Sequence, residues 1–256
     1  MKRLFTLILA FSLTIMNAQS FNNIKDGEYL KYRIHYGFFN AGYAQIKAKK
    51  TTYKGKPHLH IVGTGRSTGA VETFFKVRDR YETFIDAKTG LPSYYIRDVK
   101  EGNYTQHLET EFYHHNNVLR LMDKEKNETK GKLIKFPKAM QDMLSAFYYL
   151  RSTKPELLRK GYKKNLNVWI DNERFPFQLR VAGKKRIKTK FGKIEAIRII
   201  PLVKSGRVFK DKEGVELWVS NDKNLIPLSV RAKLVVGSLK ADLEDYKNVK
   251  YPLNFH

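Results

Sequence analysis

The chain has 256 residues, 42% of them apolar, and no cysteine. That is enough for one large or two small cores, and it excludes both a disulfide framework and a lipoprotein anchored through an acylated cysteine. Lysine and arginine number 49 against 25 acidic residues, a formal charge of +24, so the surface attracts polyanions through long-range field and counterion release.

At the N-terminus, Lys2 and Arg3 precede the apolar run Leu4 to Ile15 and then Asn17-Ala18-Gln19. This pattern reads as a secretory signal peptide, residues 1–18, cleaved near Ala18. The run is shorter than the ~20 residues needed to span a bilayer, and nothing later in the chain is long and apolar enough for a membrane helix. The expectation is an exported protein, periplasmic or secreted, soluble after cleavage, with a charge of +22 once Lys2 and Arg3 leave. In that compartment the abundant polyanions are acidic lipids, lipopolysaccharide and acidic polysaccharides, which become the expected partners. Nucleic acid is the less favoured one: 13% aromatics could stack on bases, but no recognised nucleic-acid motif is present.

From Gly27, GEYLKYRIHYGFFNAGYAQIKAKKTTYKGKPHLHIVGT alternates apolar and polar residues, predicting three antiparallel strands with turns at 37–42 and 54–57. Gly63 to Gly69 reads as a flexible Gly/Ser/Thr connection, and AVETFFKVRDRYETFID as further strand. Turn chemistry at 86–92 separates this from strands over 94–99 and 104–112, and a hairpin at Asn116-Asn117 leads through VLRLMD into a solvated loop at 123–132. Over Pro137 to Arg151, Met140, Met143, Leu144, Phe147 and Leu150 recur at three-and-four spacing, predicting the one strong amphipathic helix. Pro155 opens a second short helix, PELLRKG, completing a helical connector over about 137–160. Strands then resume to about residue 246, with Gly192-Lys193 expected as a two-residue hairpin turn.

The two β-rich stretches echo each other. Glu82 to Ile85, Gly90-Leu91-Pro92, Gly102 and Leu108-Glu109 align on Glu216 to Val219, Asn224-Leu225-Ile226-Pro227, Gly237 and Leu243-Glu244, with one residue inserted in the second copy, and Gly55-Lys56 aligns on Gly192-Lys193. The expected architecture is mainly β. A large curled antiparallel sheet, open-barrel-like, is built from two related halves over about 27–112 and 162–246, in a single domain of residues 19–256. The central helix plugs the space they enclose.

DMLSAFYYLR, VWIDNERFPFQLRVAGKKRIKTKFGKIEAIRIIP, ELWVSNDKNLIPLSVRAKLVVGSLKADLE and GEYLKYRIHYGFFNAGYAQI together resemble the bacterial domain-of-unknown-function family 3108 (DUF3108). The resemblance runs from about Gly27 to Tyr246 and implies an exported β-rich protein. It carries no active site.

Four patterns are candidates for chemistry. Gly65-Arg66-Ser67-Thr68-Gly69 fits the nucleophile-elbow pattern G-x-S-x-G, making Ser67 a candidate hydrolase nucleophile, but the residues that follow read as strand rather than helix. His58 and His60, two apart on one strand face, could supply two zinc ligands, with no third at ligand spacing. Glu109 and Glu111 also share a face, too close together for an inverting acid/base pair. The most informative pattern is a basic ladder: in KKRIKTKFGKIEAIRII, Ile187, Thr189 and Phe191 share a face with Ile194, Ala196 and Arg198, while Lys184, Arg186, Lys188 and Lys190 line the other beside Glu195, Ile197 and Ile199. Lys47 and Lys49 repeat part of it in the first half. A surface mixing cations with aliphatics suits an anionic amphiphile. The function expected is therefore non-catalytic binding in the envelope, without a cofactor.

Overall fold

The computed structural model describes residues 21–202 and 214–256. The expected signal peptide lies outside them. In chain order come β1 (Glu28–Tyr36), β2 (Phe39–Tyr53), β3 (Lys56–Ser67), α1 (Gly69–Phe74), β4 (Arg78–Asp86), β5 (Pro92–Glu101), β6 (Tyr104–Tyr113), β7 (Val118–Asp123), β8 (Lys132–Lys135) and β9 (Met140–Asp142). Then follow α2 (Met143–Arg151), a 3₁₀ turn (Pro155–Leu157), β10 (Lys163–Ile170), β11 (Glu173–Thr189), β12 (Gly192–Leu202), β13 (Val215–Ser220), β14 (Pro227–Lys233) and β15 (Ser238–Lys247).

The described strands form one sheet in the order β8-β7-β6-β5-β4-β3-β2-β1-β15-β14-β13-β12-β11-β10-β9. Each neighbour pair is antiparallel except β9 with β10. The first half of the chain is thus a meander running outward from β1. The second returns through a meander from β10 to β15, and β1 and β15 join the two. The sheet curls until β9 lies against β5. There Gln141 Nε2 donates to the Gly90 carbonyl at 3.1 Å, and Met140 and Trp169 pack with Tyr95, Phe112, Leu119 and Phe136.

Alternation in the sequence becomes two faces of the sheet, because directly opposed residues point the same way. Ala48, Ile61, Thr83, Tyr95 and Thr110 are successive partners from β2 to β6, and all five are buried. This is the inner face, and α2 fills it. Leu144 and Tyr148 pack with Ile24, Leu59, Ile61 and Ile85 from the first half, while Leu150 packs with Leu179, Val181, Ile197, Ile199 and Leu217 from the second. Each such side chain contributes about 1.5–3 kcal/mol by leaving water.

The helix is shorter than its apolar spacing predicts. Asp142 caps it, accepting from the Leu144 and Ser145 amides at 2.8 Å while Ser145 Oγ accepts from the Asp142 amide, so the first turn begins at Met143. Met140 belongs to β9 instead. The second expected helix is only the 3₁₀ turn Pro155–Leu157. Residues 63–67, expected as a flexible connection, continue β3, and Gly69–Phe74, expected as strand, is helical with none of its residues buried. A short exposed segment with no core face gives periodicity little to report.

Candidate functional site: a basic groove on the outer face

Leu217 faces the core, so its neighbours Glu216 and Trp218 face outward. Trp218, Ser229, Asp242 and Arg33 are successive cross-strand partners over β13, β14, β15 and β1. Glu216, Arg231, Lys240 and His35 form the next row. These two rows are the floor of a groove of about 690 Å³. Its wall is the tip of the β11–β12 hairpin, Lys185 to Lys190, which folds back over the outer face. Lys190 Nζ reaches Glu244 Oε1 on β15 at 2.8 Å, and Phe191 packs edge-on against Tyr246 and beside Phe255, holding the tip down.

The hairpin turns at Lys190-Phe191, not at the expected Gly192-Lys193. Thr189 pairs with Gly192, the Thr189 hydroxyl accepts the Phe191 amide at 3.1 Å, and it donates to the Gly192 carbonyl at 2.9 Å. Gly192 serves a different purpose: its φ is +127°, and a Cβ there would lie 3.0 Å from the carbonyl oxygen of His256, whose backbone pairs with Lys193. The register differs from the expected one by an even number, so the same residues still share a face, but Ile197 and Ile199, expected beside the cations on a surface, are buried in the core with Leu150.

Cations and anions in the groove are unevenly matched. Arg33 bonds Glu244 at 3.0 Å, Lys240 bonds Asp242 at 2.5 Å, and Ser229 Oγ donates to Asp242 at 2.7 Å. Arg33 and Lys190 together hold the Glu244 carboxyl below the usual carboxylate range, the Lys190 hydrogen bond foremost. Among the described residues, no carboxylate pairs with Lys185, Arg186, Lys188 or Arg231. Between them lie the half-buried apolar side chains of Ile187 and Trp218, over Leu228 and Leu243, which are buried in the core beneath. The Trp218 ring is fixed by an indole N–H bond to Glu216 and by the Arg198 guanidinium 6.0 Å from its centroid.

Of the ladder, Arg186, Lys188 and Lys190 line the groove. Lys184 is exposed on β11 opposite Ile197, outside the lining. Lys47 and Lys49 are exposed on β2; Lys47 lies 6.0 Å from the Tyr29 ring centroid, and neither belongs to the groove. Sequence reasoning missed Lys185, Arg33, Arg231, Lys240 and Trp218. For Lys185 the signal was its parity with Ile187; the others come from the consecutive strands β13, β14 and β15 and from β1 at the far end of the chain.

The remaining candidates are occupied. The strand–helix order of a nucleophile elbow is present at Ser67, but its buried hydroxyl accepts the Val77 amide at 2.9 Å, and among the described residues no imidazole or carboxylate bonds to it. His58 is buried between the Lys56 carbonyl (2.9 Å) and Ser93 Oγ (2.8 Å), engaging both ring nitrogens. His60 bonds Glu82 at 2.8 Å and stacks on Phe84. No cluster of three metal-ligating side chains occurs among the described residues. Glu111 binds Lys54 (2.7 Å), Tyr113 (2.7 Å) and Arg120, and Glu109 binds Tyr94 (2.5 Å) and Lys124 (3.2 Å).

A model of the family described as "protein of unknown function (DUF3108)" matches residues 31–244. The fold is similar to that of a β-barrel-like protein from Brucella abortus containing the domain of unknown function DUF1849. That likeness has a TM-score of 0.55 at 10% identity and covers 88% of this chain and 98% of the other. A candidate lipoprotein from Parabacteroides distasonis (TM-score 0.34, 8% identity, 90% and 98% covered) and a candidate exported protein with a YmcC-like fold from Bacteroides fragilis (0.31, 10%, 88% and 97%) are more distant, too much so to argue from. No curated protein matches the chain.

Proposed function

The chain belongs to the DUF3108 family, whose function is unknown, and we propose that it is an exported, non-catalytic envelope protein that binds an anionic amphiphile, such as an acidic lipid or a lipopolysaccharide, in the outer groove. One observation carries this reading. Four cations without carboxylate partners among the described residues, Lys185, Arg186, Lys188 and Arg231, surround the half-buried apolar side chains of Ile187 and Trp218. A phosphate or carboxylate head would meet the cations while its hydrocarbon lay on Ile187 and Trp218, and a volume of about 690 Å³ falls in the ordinary range for small-ligand sites. The leader-like N-terminus supports export, and the absence of cysteine is compatible with it.

The chain has two tryptophans, and Trp169 is buried in the core, so a Trp169→Phe background leaves Trp218 as the groove's reporter. Titration with short-chain phosphatidic acid should change its emission saturably, while the phosphatidylcholine of equal chain length should bind far more weakly. Replacing Lys185, Arg186 and Lys188 together by Glu should weaken phosphatidic acid binding roughly hundredfold, at about 1 kcal/mol per cation. Equal binding of the two lipids, or an unchanged affinity in the charge-reversed variant, overturns the reading. Equally tight binding of an acidic oligosaccharide or of DNA would replace the amphiphile with a general polyanion.

A further inference from the structure

Large apolar side chains project into solvent from one end of the sheet. In the β1–β2 connection Phe38 is 102% exposed, and Phe39, the first residue of β2, 68%; Phe74 at the end of α1 is 88% exposed; Val235 and Val236 in the β14–β15 connection are 58% and 75% exposed. Contacts join these tips in one row. The Gly37 amide donates to the Ser238 carbonyl and the Tyr36 hydroxyl to the Val236 carbonyl, each at 3.1 Å. The Thr68 amide, just before α1, donates to the Ala41 carbonyl at 3.1 Å. The Phe75 ring lies over Gly102 in the β5–β6 connection, where a Cβ would come within 3.1 Å of it. Beside it Tyr104 is half-exposed.

Isolated exposed apolar residues are ordinary, but several on adjoining tips of one end mark an interaction surface. Charge narrows the partner. From Arg231 to Lys240 the chain reads RAKLVVGSLK, and from His35 to Ala41 it reads HYGFFNA, neither with an acidic residue. Near α1, Glu72 is already paired with Arg78, and Lys76 adjoins the two phenylalanines. Two copies meeting through this end would oppose like charges, whereas an anionic bilayer offers both hydrocarbon and counter-charge. The end is also continuous with the groove: the pair Arg231 and Lys240 lies one step below Lys233 and Ser238, which close the β14–β15 hairpin.

We propose that this end of the sheet docks on the surface of an anionic lipid bilayer. Phe38, Phe39, Phe74, Val235 and Val236 enter the boundary between headgroups and acyl chains, and Lys76 and Lys233 lie among the headgroups. The proposal deepens the groove reading and rests on it, since docking presents the groove's His35–Lys240–Arg231 row to the lipid it would bind.

The test uses mature protein and phosphatidylcholine vesicles with or without phosphatidylglycerol. A Phe38→Trp variant should gain a blue-shifted emission with the anionic vesicles, quenched by brominated acyl chains. A Phe38→Ser, Phe39→Ser, Val236→Ser variant should lose vesicle affinity by about tenfold or more in flotation, since the buried apolar area supplies part of the binding. These side chains are solvent-exposed, so its urea midpoint and its affinity for short-chain phosphatidic acid should stay unchanged. No blue shift, or unchanged flotation of the serine variant, overturns the proposal. A shift that grows with protein concentration without vesicles also overturns it, in favour of a second copy. The two readings fail separately: short-chain lipid binding lost with vesicle docking intact sinks the groove alone, and the reverse sinks the docking surface alone.

Discussion

Arg151, the last residue of α2, and Glu28, the first of β1, form an ion pair with both side chains wholly buried, Nη1 to Oε1 at 2.5 Å and Nη2 to Oε2 at 2.8 Å. The Arg151 Nε donates to the Asn224 carbonyl at 3.2 Å, and the guanidinium lies 5.1 Å from the Tyr148 ring centroid. Burial disfavours the charge, yet the Glu28 carboxylate holds the guanidinium above its ordinary range. The bidentate pair fixes the end of the plug to the strand where the two meanders meet.

Arg151→Met should therefore cost about 3–5 kcal/mol, mostly because it strands a buried carboxylate. Combining it with Glu28→Leu should recover much of that loss. Urea unfolding of the two single variants and the double one measures this, and a double variant no more stable than Arg151→Met would assign the cost to packing instead.

Asp142 carries a second buried charge, and here burial dominates. It pushes the carboxyl up to about 6, against the Thr83 hydroxyl at 2.6 Å and the Ser145 and Leu144 amides that favour the anion. A folded-state value above the unfolded one means that this group's stabilisation is full below about pH 4 and is lost as pH rises through about 6. Asp142→Asn keeps a capping acceptor without the charge. Relative to wild type, it should gain roughly 1–3 kcal/mol between pH 4.5 and pH 7.5. Chemical denaturation at both pH values gives the difference directly, and a constant difference would count against the shift.

Glu111 has the opposite sign. Burial alone would raise its carboxyl, but hydrogen bonds from Lys54, Tyr113 and Arg120 bring it down to about 2. Its contribution is full above about 4.5 and is lost as pH falls toward 2. Glu111→Gln should lower the urea midpoint at neutral pH and flatten the loss of stability in that acid window. An unchanged acid limb would show that other carboxylates set it.

The strands were legible because one side of the sheet faces a core and the other water, which writes a period of two into segments such as EYLKYRIH. The groove was legible only in part. Arg186, Lys188 and Lys190 form a local run, whereas Trp218, Ser229 and Asp242 meet through the registers of two successive hairpins and Arg33 joins them only through the long-range pairing of β15 with β1. A bulge between Val181 and Gly183 complicates β11 further: Leu179 and Val181 face the core, but after it Lys185 and Ile187 belong to the outer face. The start of α2 was misplaced because Met140 continues the apolar spacing, while the Asp142 cap decides where the helix begins.

Gly63 shows how closely the plug fits the sheet. A Cβ on this β3 residue would lie 3.3 Å from Leu144 Cδ2 and 3.7 Å from Cδ1, both on α2, and 4.0 Å from the Tyr81 Cβ. The obstacle is the end of a flexible side chain, so Gly63→Ala should be close to neutral: a slight shift of Leu144 is offset by the lower entropy of the unfolded chain. Valine has no such room and should cost about 1–3 kcal/mol by overpacking. Leu144→Ala alone should also destabilise, by about 2–5 kcal/mol, through the cavity it leaves. Combined, the two changes compensate, valine filling part of the space that leucine vacates. A double-mutant cycle in urea should then give a favourable coupling of about 1 kcal/mol or more, as for residues in direct contact. Additive costs would mean that α2 is not seated against β3 at this point.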